Sequence, residues 1–196
     1  TQTKLNVTTS AFDGNTAVNG GGAIHCQANN MEIHSSNFTD NKATSTTGGN
    51  GGAVYIIGNN AVVDTSRFDD NEAKMYGGAL AIDGTGNDVN NCEFNTNTAQ
   101  SGGAIYVKGN NTVRDSAFTG NKGTNYGGAI YWDSDSANIV RSNFTSNQIN
   151  NNLGGGAICI NGNSGTIDAS KFEDNCAQSA GAIYLLGSSN TVSNSD

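Results

Sequence analysis

The sequence predicts an all-β fold, a right-handed parallel β-helix: a solenoid of about seven coils of 24–30 residues, with three short strands per coil. Three observations carry the prediction. Phenylalanine recurs at Phe12, Phe38, Phe68, Phe94, Phe118, Phe144 and Phe172, at spacings of 24 to 30 residues. Each is followed three residues later by asparagine, at Asn15, Asn41, Asn71, Asn97, Asn121, Asn147 and Asn175. Alternating with these comes Gly-Gly-Ala-Ile or a close variant, with alanine at 23, 53, 79, 104, 129, 157 and 182. Disordered tracts have no reason to space phenylalanine regularly. A leucine-rich repeat would show Leu-x-Leu and a helical half, and a propeller blade needs about 40–45 residues with Trp-Asp signatures.

Each element follows from residue pattern. One residue after each block alanine lies an apolar side chain such as Ile24, Val54 or Leu80, and three after it another, such as Ile56, Ile82 or Trp132. Period two makes this a strand with that face inward. A second strand carries a single Val or Ile five residues before each Phe, from Val7 to Ile167. The third reads Ser-x-Phe, with Cys92 in place of serine once. Coils stacked about 4.8 Å apart turn these recurrences into ladders, seven rungs making a rod of roughly 34 Å. Phe stacks on Phe and Ile on Ile, and the asparagine at the following corner can satisfy backbone groups that the turn strands. Length varies chiefly between Phe and the next Gly-Gly-Ala; from each block alanine to the next Phe it is 15 residues in five coils and 14 in one, Ala104 to Phe118. Insertions at 44–50 and 150–153 therefore bulge from one edge, where solenoids often bind.

Composition excludes several classes. Of 196 residues, 27 are Gly, 31 are Asn and none is Pro, as tight turns between short strands require. A net charge of −8 with nine scattered basic residues argues against nucleic acid and against anionic membranes. No apolar run approaches the ~20 residues that span a bilayer. Cys26, Cys92, Cys159 and Cys176 occupy different positions of the coil, so neither a disulfide nor a zinc site is expected. Residues 1–196 read as a single β-helix segment cut from a longer solenoid. Uncapped strand edges at its ends would favour end-to-end self-association.

The paired motifs resemble those of the chlamydial polymorphic membrane proteins and of the adhesin-like β-helix proteins of methanogenic archaea. The resemblance rests on GGAI at 21–24, 102–105, 127–130 and 155–158 and on Phe-x-x-Asn at all seven phenylalanines, and it covers nearly the whole chain. It departs from the motif in GGAV at 51–54, GGAL at 77–80 and AGAI at 180–183. The resemblance implies an extracellular or cell-surface protein, an adhesin or stalk whose partner is a glycan or protein of a host or neighbouring cell. It supplies no catalytic residue and no cofactor.

Candidate chemistry lies on the Gly-Gly-Ala strand. The residue two after each alanine points outward, giving Tyr55, Tyr106, Tyr131 and Tyr184 on one face as a candidate aromatic platform for sugar or protein. The competing reading is that tyrosine simply stabilises an exposed strand by cross-strand stacking. Four residues after the alanine come Asp83, Lys108 and Asp133, with Lys108 expected between the two aspartates. This column adds hydrogen-bonding groups to the platform. It could serve a carbohydrate lyase or hydrolase, but an ordinary surface ion-pair ladder accounts for it as well. The acidic corners Asp69-Asp70 and Glu173-Asp174 read as solvated turns with at most loose surface calcium. His25 and His34 suggest no triad. Sequons begin at Asn6, Asn37, Asn110 and Asn143.

Overall fold

The computed structural model describes residues 4–150 and 153–196. Every named strand pairs in parallel, and the strands form four sheets of eight, seven, six and seven strands along one rod. Three sheets are those anticipated. One holds the Val/Ile strands from Asn6–Thr8 to Thr191–Ser193, the second the Phe strands from Ala11–Asp13 to Lys171–Glu173, and the third the Gly-Gly-Ala strands from Ile24–Cys26 to Ile183–Leu185. The fourth corrects the expectation of three strands per coil. It follows every corner asparagine but the last, Asn175, and includes Lys42–Ala43, Glu72–Ala73 and Lys122–Tyr126. Its inward residues, Ala43, Ala73 and Ala99, form a small cluster of their own. Alanine in strands often only two residues long leaves almost no hydrophobic pattern, so this sheet was illegible.

The ladders are in register. Phe68 pairs with Phe38 and Phe94, and every neighbouring pair of rings from Phe12 to Phe172 stacks at 4.8–5.0 Å, within 5° of parallel. The spacing equals the strand spacing, so the rings need no distortion to touch. Phe38, Phe68, Phe94, Phe118 and Phe144 are fully buried.

Asparagine holds the corner. The Asn97 carboxamide oxygen accepts from both the backbone N–H and Nδ2 of Asn71, each at 3.0 Å. Asn97 Nδ2 in turn donates to the Phe68 carbonyl and to Asn121 Oδ1. The same pattern runs through Asn41, Asn71, Asn121 and Asn147. A second, shorter asparagine ladder, Asn87 on Asn111, does the same at the turn leaving the Gly-Gly-Ala strand. Serines form a third: each hydroxyl accepts the backbone N–H of its counterpart one coil away, as in Ser36 to Ser66 and Ser116 to Ser142.

Most coils use left-handed backbone at four places. The residue three before each Phe has φ of 47–52°, at Thr9, Ser35, Thr65, Asn91, Asp115, Arg141 and Ala169. Alanine is the least suited of these, because its side chain offers no local hydrogen bond to offset the crowding of Cβ in this region. Ala169→Asn copies the residue at Asn91 and is expected to raise stability by about 0.5–1 kcal/mol. An unchanged or lower midpoint in urea would contradict that account.

All four cysteines are free, with Cys26, Cys92 and Cys159 buried and Cys176 exposed. Burial pushes the Cys92 and Cys159 thiols up to about 12. Raised thiols are protonated at neutral pH, and the thiolate is the reactive form. A disulfide-exchange reagent at about pH 8 should therefore modify Cys176 alone in the folded protein and all four after unfolding. Rapid native-state labelling of Cys92 would count against this packing.

Candidate functional site

The outward columns of the Gly-Gly-Ala sheet were the predicted site. Strand alternation does turn Tyr55, Tyr106, Tyr131 and Tyr184 away from the main core, but they do not form an open platform. Tyr106 and Tyr131 are only 9% and 7% exposed, and with Ala81 and Cys159 they make a second apolar cluster outside the barrel. Tyr55 and Tyr184 are half-buried at its margins.

Two tyrosines absent from the sequence-based site provide the cover. Tyr76 stacks on Tyr106 with ring centroids 4.6 Å apart, and Tyr126 stacks on Tyr131 at 5.1 Å. Both sit just before a Gly-Gly-Ala block, where Gly77 and Gly127 turn the chain with φ near 60°. The signal was present as Tyr-Gly-Gly-Ala at 76–79 and 126–129. The offset-stacked rings leave Tyr76 and Tyr126, both half-buried, as the aromatic surface that a ligand would meet.

The polar column is also rearranged. Lys108 pairs with Asp83 at 3.5 Å but does not bridge to Asp133. Ladder pairing between these two strands ends at Val107 with Trp132, so Asp133 leaves the register that would have placed it beside Lys108. Asp133 instead accepts from Tyr106 Oη and Tyr131 Oη, each at 3.2 Å, and from Asn161 Nδ2 at 2.8 Å. Burial, reinforced by this carboxylate, drives both phenol groups well above their ordinary pKa. The phenols therefore stay protonated as donors, and Asp133 is fixed at the rim of the aromatic cluster.

The remaining candidates are dispersed. His25 is exposed and stacks on Tyr55 at 5.0 Å, whereas His34 lies on the Val/Ile sheet, 3.6 Å from both Glu32 and Asp64. Asp69 is held by Arg67 and Asn95, Asp70 by the Thr96 hydroxyl, and Glu173 by Lys171. Among the described residues no three metal-ligating side chains converge. The insertion at 44–50 folds onto its own backbone, with Gly49 N–H donating to the Ser45 carbonyl at 3.0 Å. Of the second insertion, residues 151 and 152 lie outside the described residues. The sequon asparagines Asn6, Asn37, Asn110 and Asn143 are all exposed.

Comparison with known proteins agrees with this architecture. The family model described as a right handed beta helix region matches residues 4–144. No curated protein and no solved structure matches the chain.

Proposed function

We propose that this chain, which belongs to the right-handed β-helix family, is a rigid, non-catalytic rod of the cell surface that presents a ligand-binding face in an adhesin-like role. The observation that carries the reading is the second aromatic cluster outside the barrel. A solenoid needs no tyrosine core beyond its own wall, yet Tyr76 and Tyr126 are stacked there on Tyr106 and Tyr131, with Asp133 fixed beside them. Rigid aromatic surface edged by Lys108, Asn161 and Asp133 suits a glycan or a protein of a host or neighbouring cell, at low entropic cost. The alternating Gly-Gly-Ala-Ile and Phe-x-x-Asn motifs, similar to those of the chlamydial and methanogen surface proteins, support the same placement.

A carbohydrate-active enzyme is the competing reading. Acid–base chemistry would want Lys108 and Asp133 converging on one bond, whereas Lys108 pairs with Asp83 and Asp133 is engaged by three donors. The deciding experiment screens the protein against glycans and cell-surface proteins, beside Lys108→Ala with Asn161→Ala. Both side chains are exposed, so the melting temperature should hold while capture falls. Capture that is unchanged in the double variant removes the proposed face, and no capture at all leaves a spacer. Cleavage of a polyuronide, abolished by Lys108→Ala, would establish the enzyme instead.

A further inference from the structure

A different face of the rod carries an independent feature. The chain from the Gly-Gly-Ala strand to the Val/Ile strand is one residue shorter in the coil of Phe118. Gly109-Asn110-Asn111 spans what Gly84-Thr85-Gly86-Asn87 spans one coil earlier, since Lys108 pairs with Asp83 and Thr112 with Asp88. A cleft of about 410 Å³ lies at this step. Its size falls within the ~300–1,000 Å³ of small-molecule sites, and its lining is about evenly divided between polar and apolar surface, where most such sites are mainly apolar. Thr85, Asp88, Asn110, Thr112 and Arg114 supply the walls.

Charge in the cleft is already balanced. Arg114 meets Asp88 through two hydrogen bonds, Nε to Oδ1 at 3.1 Å and Nη2 to Oδ2 at 2.7 Å, and its Nη1 reaches Asp115 at 3.4 Å. Asp115 is itself held by Arg141 through bonds of 2.7 and 2.8 Å. An anion would compete with Asp88 for the guanidinium, and a cation with Arg114 for the carboxylate. Neither gains much. An uncharged ligand rich in hydroxyls gains more, because each hydroxyl both donates and accepts and meets a paired array held rigid before binding. Asn111 is buried, with Nδ2 on the Gly84 carbonyl at 2.8 Å, whereas Asn110 is exposed and lines the cleft.

We propose that this cleft is a carbohydrate subsite for a neutral sugar ring. Two sources can present that ring. One is a free oligosaccharide. The other is a glycan linked to Asn110 itself, since Asn110-Asn111-Thr112 is the one sequon whose residues line the cleft. In that linkage Asn110 Nδ2 attacks C1 of a sugar carried on a lipid phosphate. The C–N bond forms, the C1–O bond breaks, the phosphate leaves with the bonding pair, and the amide proton passes to base. The donor is a lipid-linked sugar, and the transferase is a membrane enzyme of the host cell.

The test has an arm for each source. Protein from a host that does not glycosylate is titrated with neutral gluco- and manno-oligosaccharides, following backbone amides by NMR. Shifts are expected at Asn110, Thr112 and Arg114, and Arg114→Lys and Asn110→Ala should each weaken binding about tenfold, the loss of one good hydrogen-bonding group. Arg114→Lys keeps the charge and removes only the paired geometry. In the second arm the chain is secreted from a glycosylating host, and the peptide holding Asn110 is weighed. A glycan on Asn110 that shifts the Thr85 and Arg114 amides relative to Asn110→Gln supports the covalent source. The proposal is overturned if neutral sugars leave these amides unmoved and Asn110 is bare, or carries a glycan that moves nothing. Equal binding by Arg114→Lys overturns it too. Binding that survives here but fails at the tyrosine face, or the reverse, separates this subsite from the proposed adhesive face.

Discussion

Gly103→Ala is expected to abolish cooperative folding, or to cost more than about 4 kcal/mol, the range of exceptional point mutants. The two glycines of each Gly-Gly-Ala block do different work. The first adopts left-handed backbone, as at Gly51, Gly77, Gly102 and Gly127, with φ of 60–64°. The second has ordinary dihedrals, but the stack closes around it. A Cβ on Gly103 would run into the carbonyl oxygen of Gly128 one coil on and lie 2.6 Å from the Lys122 backbone. Both obstacles are main chain in adjacent rungs, so relief requires prising coils apart. Gly181 holds the same place in the final block, and there the nearest atom to an added Cβ is the Asn175 carbonyl oxygen at 3.2 Å. Gly181→Ala should therefore cost less than about 1 kcal/mol, as an exposed Gly-to-Ala change does where space allows. Denaturant melts of the two variants give the comparison. Similar losses would mean that glycine is required there for chain flexibility, not for close approach.

Asn97→Leu carries the second large effect. The substitution nearly keeps volume at a fully buried position, so lost packing is a minor part of its cost. It strands the Asn71 backbone N–H and Nδ2, which both donate to Asn97 Oδ1, and the Phe68 carbonyl, which accepts from Asn97 Nδ2. At about 1–3 kcal/mol for each buried group left unpaired, the expected loss is about 3–5 kcal/mol, with some relief from water entry. The loss is larger than that of one hydrogen bond because one carboxamide oxygen serves two donors. Asn15→Leu is the control: Asn15 is exposed and, among the described residues, its side chain hydrogen-bonds only to Asn41, so its loss should stay under about 1 kcal/mol. A loss at Asn97 no larger than at Asn15 would show that water satisfies the corner and the ladder adds little.

The fold was legible because the chain repeats itself. Stacking at the strand spacing places like on like, so Phe38, Phe68 and Phe94 announced a ladder by recurring at one place in each coil, and Asn41, Asn71 and Asn97 announced another. Strand alternation likewise gave the inward Ile24 and Ile56 and the outward Tyr106 and Tyr131. The fourth sheet was not legible, since Ala43 and Ala73 carry too little apolar surface to mark a strand.

What the sequence determined by itself is whatever one coil fixes alone and its neighbours copy: the period, the inward faces, the corner asparagine and the glycine pair. The tertiary structure decided whatever depends on two segments meeting across turns of unequal length. Tyr106 points outward by alternation, yet it is buried because Tyr76, thirty residues earlier, folds over it. Asp133 was expected beside Lys108 by counting, yet it binds two tyrosines and Asn161 because strand pairing stops at Trp132. The cleft at Asn110 exists because one turn lacks one residue that the coil before it has. Periodicity reports which face a side chain takes. Only the packing of non-identical turns reports what lies over it.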